Sequence, residues 1–498
     1  MPSRKRLTGT NAQKREADLL ARIREMLGSP PDLVCHAVVP GDQATGPALC
    51  IYLETLVNRS TINEYVLGSL QSGKFSEMQA PGAESSAFLQ EFSPDLDMEE
   101  LARQATDALV RGMCVVVDPS GPVCFVRVTD PKQRQVDTPV SEISIRGPNE
   151  GLAESIITSL GLLRKRINTP QLRLESMQIG YVSRTTVVMA YIENVAPDEL
   201  VREMRRRLKA IHTDSVLESA YIEEFIQDRT LTPFPTMQNT QRADVVAGHL
   251  LDGKVAVLVD GSSNALIAPV TFFELFNSPE DYYQRADIAT FIRWIRLLSF
   301  FIAVFVPSLY VAATTFHQEM IPGTLLLSLS AQREGVPLPA FAEVLLMELV
   351  FEIIREAGIR MPRVAGQALS IIGAIVLGQA AVDAGLITAA IVIVVSVTGI
   401  ANFVVPTYSF GIAQRLIRFT FVILAGFMGL FGILCGTLFL IAHLASLKSF
   451  GVPYLAPVTP PYPADWRDVL LRAPRPKMGD RPPMFIRNLK KKKRNING

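Results

Sequence analysis

Two stretches of the chain repeat one hydrophobic pattern: CVVVDPSGPVC (114–124) and KVAVLVDGSSNAL (254–266) each set an apolar run, a turn and a second apolar run in sequence. Pro and Gly supply the φ angles that reverse a strand, so each stretch predicts a β-hairpin. Each follows a helix-like segment closed by glycine, LARQATDALVRG ending at Gly112 and RADVVAGHLLDG ending at Gly253, the expected left-handed stop. Upstream, ALCIYLE (48–54) matches VVMAYIE (187–193), with Tyr52 against Tyr191 and Glu54 against Glu193, and strand-like segments begin near Leu33 and Leu172. The offset is 139 residues at the strands, 141 at Gly112/Gly253 and 142 at Asp118/Asp260. So steady an offset predicts two diverged copies of one α/β unit. Between them, Pro148 suits the first turn of a joining helix, with Ile156, Ile157, Leu160, Leu163 and Ile167 on one face and Arg164, Lys165 and Arg166 at its basic C-terminal end. Arg146-Gly147-Pro148 reads as a structural turn.

Beyond residue 290 the pattern changes: 297–447 contains long stretches with almost no charge. The first apolar run, 297–315, is long enough at about 1.5 Å per residue to cross a hydrocarbon core of about 30 Å. Arg293, Trp294 and Arg296 mark its start as a cytoplasmic interface. The run 321–331 is too short to span and begins with Pro-Gly, as a re-entrant segment would. Runs at 367–382, 386–406 and 416–447 follow, the last about 48 Å long if helical, so that it must tilt or project. Arg360 and Arg363, and Arg415 and Arg418, mark further cytoplasmic ends, while the side of the C-terminal tail is left open. The fold class is therefore an α/β cytosolic N-terminal half of two related subdomains followed by an all-α polytopic membrane domain. The divisions fall at 1–30 (helical or flexible), 31–135 and 136–290 (the α/β subdomains), 291–450 (transmembrane helices) and 451–498 (polar tail).

Within the apolar half, Glu348, Glu352 and Glu356 recur every four residues on one helix face, and Glu343 precedes them on the same segment. Carboxylates there must face water, a partner or the bundle interior, and Glu343, Glu348 and Glu352 are candidates for an ion pathway. Gly366, Ser370, Ala374 and Gly378 form a stripe of small residues that permits close helix approach. Gln367 and Ser370 are available to meet water there, and Val364, Ile371 and Leu377 could form an apolar constriction. The segment 364–378 is thus the pore-lining candidate. Ahead of the first span, NSPEDYYQR (277–285) reads as a helix start, capped at Asn277 or Ser278 and acidic at Glu280 and Asp281. If that helix runs on through Trp294, Pro279, Glu280, Asp281 and Tyr282 would couple the soluble half to the membrane half.

Composition narrows the function. The chain has 498 residues, 48% of them hydrophobic, and a net charge of +1, so no global field argues for nucleic acid. The basic start has no apolar core and is not a secretory signal, and KKKKR at 490–494 reads as a solvated tail. The five cysteines form no CxxC pair and the histidines are scattered, so no metal, cofactor or catalytic set is expected and an enzyme is the least favoured class. The thiols read as free and buried. A ligand-gated channel subunit, a secondary transporter and a non-conducting regulatory subunit remain as readings. The transporter is the weaker for lack of an inverted repeat in 297–447.

Three long stretches, PFPTMQNTQRADVVAGHLLDGKVAVLVDGSSNALIAPVTFFELFNSPEDYYQR (233–285), MELVFEIIREAGIRMP (347–362) and SLKSFGVPYLAP (446–457), resemble the A subunits of GerA-type spore germinant receptors, including the similar SpoVAF proteins. The likeness covers roughly residues 30–485, with one departure at 241–244, where QRAD stands in place of Glu-Arg-Pro-Asp. It implies a multi-pass protein of the spore inner membrane, its N-terminal half cytosolic, acting with B and C subunits. It further implies a germinant bound by the B subunit, and A subunits that oligomerise, as pentamers, into a gated cation channel. A SpoVAF-type accessory subunit without its own germinant response is the alternative.

Overall fold

A computed structural model describes residues 9–39, 47–71, 89–92, 97–117, 123–128, 142, 146–361, 378–462, 466–469 and 471–477. The chain forms two compact units. One runs to Gln227 and takes in Asn239–Pro269; the other comprises Asp228–Gln238 and Val270–Met478.

The first unit is built on a repeated sheet. In the first copy β1 (Leu33–Val38), β2 (Ala48–Leu53), β3 (Leu89–Phe92), β4 (Met113–Val117) and β5 (Val123–Arg127) lie in the order β1-β2-β4-β5-β3. In the second, β6 (Leu172–Ile179), β7 (Thr185–Ile192), β8 (Gln238–Thr240), β9 (Val255–Val259) and β10 (Ala265–Ala268) lie in the order β6-β7-β9-β10-β8. The two orders are the same, and so is the register. Val34 faces Tyr52 as Arg173 faces Tyr191, Ile51 faces Val115 as Ala190 faces Ala256, and Val117 faces Val123 as Leu258 faces Ala265. The glycine stops correspond as well: Gly112 and Gly253 have φ of 78° and 92°, and their amides donate to Leu109 and Leu250. The 118–121 turn lies outside the described residues, but the β4–β5 pairing on either side of it is that of a hairpin.

Period-2 alternation gives the first sheet two buried faces. Ile51, Leu53, Val115 and Val117 pack under α1 (Gly9–Leu27) and α2 (Met98–Val110), against Leu19, Ile23, Leu101 and Leu109. Cys50, Tyr52, Cys114 and Val116 face Ile62 and Val66 instead. All five cysteines are free; Cys50, Cys114 and Cys124 are buried, whereas Cys35 is half-buried and Cys435 exposed. The joining helix α3 (Ile156–Arg166) starts eight residues after Pro148, at a Ser155 cap. Pro148 is not its first turn, because its carbonyl is held by the buried Arg242 (3.0 Å). Ile157 is exposed, whereas Arg164 is buried against Asp32 of the first copy. In the second copy α4 (Asp198–Lys209), α5 (Ser219–Ile226) and α6 (Ala243–Leu251) complete the unit.

The second unit is helical: α7 (Ala286–Thr315), α8 (Gly323–Arg333), α9 (Ala340–Arg360), α10 (Gly378–Asp383), α11 (Ala389–Phe403), α12 (Tyr408–Ser446) and α13 (Trp466–Val469). The 39 residues of α12 do not form one straight rod. At Gly429 the backbone takes φ 61° and ψ −141°, and the chain turns back on itself. A Cβ on Gly432 would meet the Leu424 carbonyl, and one on Gly436 would lie 3.1 Å from Phe421, fifteen residues earlier. Phe410 and His443, near the two ends, both lie within 6.3 Å of the Phe234 ring. A helical hairpin replaces the long tilted span, and each arm is about 25–30 Å long. Gly429 permits it because that φ and ψ are open to glycine. Exchanging Gly429 for Ala should cost about 1–3 kcal/mol of backbone strain and press a methyl within 2.9 Å of His317. The expected result is a lower melting temperature and yield of the purified chain than for Gly411→Ala, where a Cβ meets nothing.

Phe300 stacks on Phe410 (5.3 Å) and Phe305 meets Phe421 (4.9 Å), while Gly429 sits against Phe316 and His317. Thus α7 and the first arm of α12 run parallel, from a proximal end, where α7 begins, to a distal end. Phe341 beside Phe427 (5.9 Å) and Arg418 beside Glu348 make α9 run back from distal to proximal. Phe351 against Gly399 and Glu343 on Thr388 make α11 do the same. The second arm of α12 returns the chain to the proximal end, where the tail packs: the Phe272 amide donates to Tyr454 (2.8 Å) and the Tyr454 hydroxyl to Pro235 (2.8 Å).

Candidate functional site

Among the described residues, the buried charged side chains of the helical unit gather at three levels. At the proximal end Ser278 caps a 3₁₀ turn, Pro279–Tyr282, through a capping box with Asp281. The turn does not run on into α7, which begins separately at Ala286. Asp281 uses its carboxylate to accept from Arg293 (3.0 Å) and Arg296 (2.8 Å), which lays the turn against the flank of α7 rather than on its axis. All three side chains are buried. Asp468, on the tail helix α13, adds a second carboxylate 3.2 Å from Arg293 and accepts from the Tyr282 hydroxyl (2.9 Å). Burial pushes the Asp468 carboxyl up, and Arg293 and Tyr282 oppose that shift. Arg293 also lies over the Tyr282 ring at 5.5 Å, with Arg475 at 5.1 Å. Of the four proposed coupling residues, Asp281 thus holds the turn to α7 and Tyr282 bonds the tail at Asp468; Pro279 and Glu280 supply the turn.

The second level is inside the bundle. Glu348 is fully buried, 2.7 Å from an Arg418 Nη2 that also reaches Glu352 at 3.3 Å. Arg355 pairs with Glu352 at 2.8 Å and Arg415 approaches it at 3.8 Å. Two carboxylates therefore meet three guanidinium groups. The third level is distal: Glu343, also fully buried, accepts from the Thr388 amide (3.0 Å) and lies 3.6 Å from Arg333. Glu356 is exposed and pairs with Arg360 at 2.7 Å. The α8 helix that holds Arg333 begins after Pro322 and buries none of its residues in the unit.

The three acidic candidates thus share one helix, but each is met by a cation. Arg415 and Arg418, read from sequence as interface markers, are instead buried within α12, which begins seven residues before Arg415. The signal was present: two basic residues three apart in one apolar helix and two acidic residues four apart in another leave pairing as the low-cost solution. Gln414 and Asn402, both buried polar groups of the same seam, carried no such signal. Val364, Gly366, Gln367, Ser370, Ile371, Ala374 and Leu377 lie outside the described residues; Gly378 opens α10, buried, and a Cβ there would lie 3.6 Å from Val392. Among the described residues no cluster of His, Cys, Asp and Glu is placed to hold a metal.

Among the described residues two helical stretches, Ala286–Thr315 and Tyr408–Ser446, the latter folded back at Gly429, are long and apolar enough to cross a membrane, and Ala389–Phe403 is a shorter apolar helix. A family model described as Bacillus/Clostridium GerA spore germination protein matches residues 21–484. The chain belongs to the GerA family. Within it, spore germination protein KA of Bacillus subtilis (strain 168) is 41% identical over 461 residues, covering 91% of this chain and 84% of that protein. Spore germination protein GerLA of Bacillus cereus is 39% identical over 471 residues, covering 93% and 94%. The crystal structure of the N-terminal domain of the A subunit of the Bacillus megaterium spore germinant receptor GerK3 is 34% identical, covers 51% of this chain and 94% of its own, and aligns with a TM-score of 0.37. The family match runs through both units, so this GerA protein joins an α/β half to an apolar helical half with charge pairs buried inside it.

Proposed function

We propose that this GerA protein is the A subunit of a spore germinant receptor, a multi-pass protein of the spore inner membrane whose α/β unit lies in the cytosol. On this reading it acts with B and C subunits, the B subunit binds the germinant, and copies of the A subunit assemble around a gated cation path with no catalytic step. The observation that carries the reading is the family match through both units, 21–484. The proximal end, with Arg293 and Arg296, is then the cytosolic end. The α12 hairpin returns the tail to that same side.

Glu343, Glu348 and Glu352 serve the path, on this reading, as parts of a paired network and not as bare carboxylates, because Arg333, Arg355, Arg415 and Arg418 stand beside them. That leaves 364–378, with its small-residue stripe and the Val364, Ile371 and Leu377 constriction, as the lining. The turn Pro279–Tyr282 transmits the stimulus to α7.

Single cysteines placed along 364–378, after removal of the five native ones, test the lining with a water-soluble thiol reagent. Germinant should change labelling on one helix face, and a smaller residue at Val364 should raise cation flux in spores. Uniform protection along the segment would assign the path elsewhere.

A further inference from the structure

Inside the helical unit a group of buried polar atoms has no hydrogen-bond partner among the described residues. Neither oxygen of Glu348 has a well-aligned donor, though Nη2 of Arg418 lies 2.7 Å away, and Arg418 Nε finds no acceptor. The Gln414 amide has both its nitrogen and its oxygen unmatched, and Asn402 Oδ1 is likewise unmatched. All four side chains are less than a tenth exposed.

Helix geometry gathers them. Glu348 and Glu352 on α9, Thr398 and Asn402 on α11, and Arg418 and Gln414 on α12 are each four residues, about 6 Å, apart. The α9 and α11 pairs read toward the proximal end in rising order and the α12 pair in falling order, so Asn402 and Gln414 stand at the level of Glu352. The Thr398 hydroxyl stands beside Glu348 but has one hydrogen to give, and it also reaches the Val394 and Val395 carbonyls (3.0 and 2.8 Å).

Buried polar groups are matched by protein, ion or water, and so concentrated a set of exceptions calls for one of the last two. A cation is opposed by the charge count, two carboxylates against Arg355, Arg415 and Arg418. An anion is opposed by the unmatched carboxylate and amide oxygens. Water answers both, because it donates to Glu348, Asn402 and Gln414 and accepts from Arg418 Nε and the Gln414 amide.

We propose that ordered water occupies the seam of α9, α11 and α12 and bridges Glu348 and Arg418 to Asn402 and Gln414. The site is a wet chamber inside one chain, and it does not depend on the bundle conducting ions.

Gln414→Leu and Gln414→Asn in the purified full-length protein give opposite rankings for a wet and a dry seam. In a wet seam the shorter amide is accommodated by a further water, so Asn should melt within about 2 °C of the parent, while Leu strands the groups the water served and melts several degrees lower. In a dry seam Leu removes an unmatched amide and melts at or above the parent, while Asn opens a cavity. Equal or reversed ranking overturns the proposal. A cryo-EM map of the unmodified protein that shows ordered water decides the case even where a variant does not fold: density between Gln414 and Glu348 supports the chamber, and direct side-chain contacts across that gap overturn it.

Discussion

Exchanging Glu348 for Gln should destabilise the helical unit by about 3 kcal/mol, the low end of the range for removing one partner of a buried ion pair. The pair is fully inside: Glu348 and Arg418 are 0% and 1% exposed. Gln keeps the shape and removes the charge, leaving Arg418 to share Glu352 with Arg355 and Arg415. The loss stays at the low end because Glu352, 3.3 Å away, still meets Arg418. The partner substitution Arg418→Met is harsher, since it strands Glu348, which has no second cation among its ion pairs. Removing both charges, as Glu348→Met with Arg418→Met, should recover most of the loss, because an apolar pair carries no desolvation penalty. Thermal unfolding of the purified protein measures all three. If Glu348→Gln melts with the parent, the pair is not buried as described.

Arg164→Met should loosen the joint between the two copies of the α/β unit at a cost of about 3 kcal/mol. Arg164 reaches across from α3 to Asp32 just before β1, with Nε to Oδ2 at 2.6 Å and Nη2 to Oδ1 at 2.8 Å. That two-pronged geometry is the strong form of an ion pair. Thr55 donates to the same carboxylate at 2.6 Å, and Asp32 and Arg164 are 5% and 1% exposed. Without the guanidinium, Asp32 retains only the hydroxyl, and limited proteolysis should cut between the copies faster than in the parent. Asp32→Asn should behave similarly. Lys165→Met, one residue away on a half-exposed side chain, should change stability by less than about 1 kcal/mol, as surface pairs do. Equal effects of Arg164→Met and Lys165→Met would remove the special role of Arg164.

Duplication was legible because it is written in local patterns. Valine runs, turn residues and glycine stops act over a few residues, and their offsets of 139 to 142 survive as matching strand order and register. The apolar helices were legible for the same reason, since length and lack of charge are properties of one segment. For Glu348 and Glu352 the sequence excluded a lipid-facing position, because a carboxylate there is costly, and left water, a partner and the bundle interior open.

The rest depended on which segments meet. Arg164 and Lys165 are adjacent basic residues at the end of one helix, and they differ because Asp32, 132 residues before Arg164, meets that side chain and not its neighbour. Nothing in the sequence near either position states that. The start of α7 as a helix separate from the Pro279–Tyr282 turn follows from Asp281 binding Arg293 and Arg296 on its flank. The reversal at Gly429 is the largest case, because one backbone angle pair turns 39 apparently continuous helical residues into a hairpin. Local propensity gives both arms, but Gly429 is one glycine among several in that helix. Only packing, with Phe421 beside Gly436 and both ends beside Phe234, selects it as the turn. Sequence by itself determined the repeated α/β unit, the apolar segments and the need to keep their carboxylates away from lipid. Tertiary structure decided the partners, because an ion pair or a helix reversal is fixed by groups distant along the chain, and pattern along the chain carries no record of that distance.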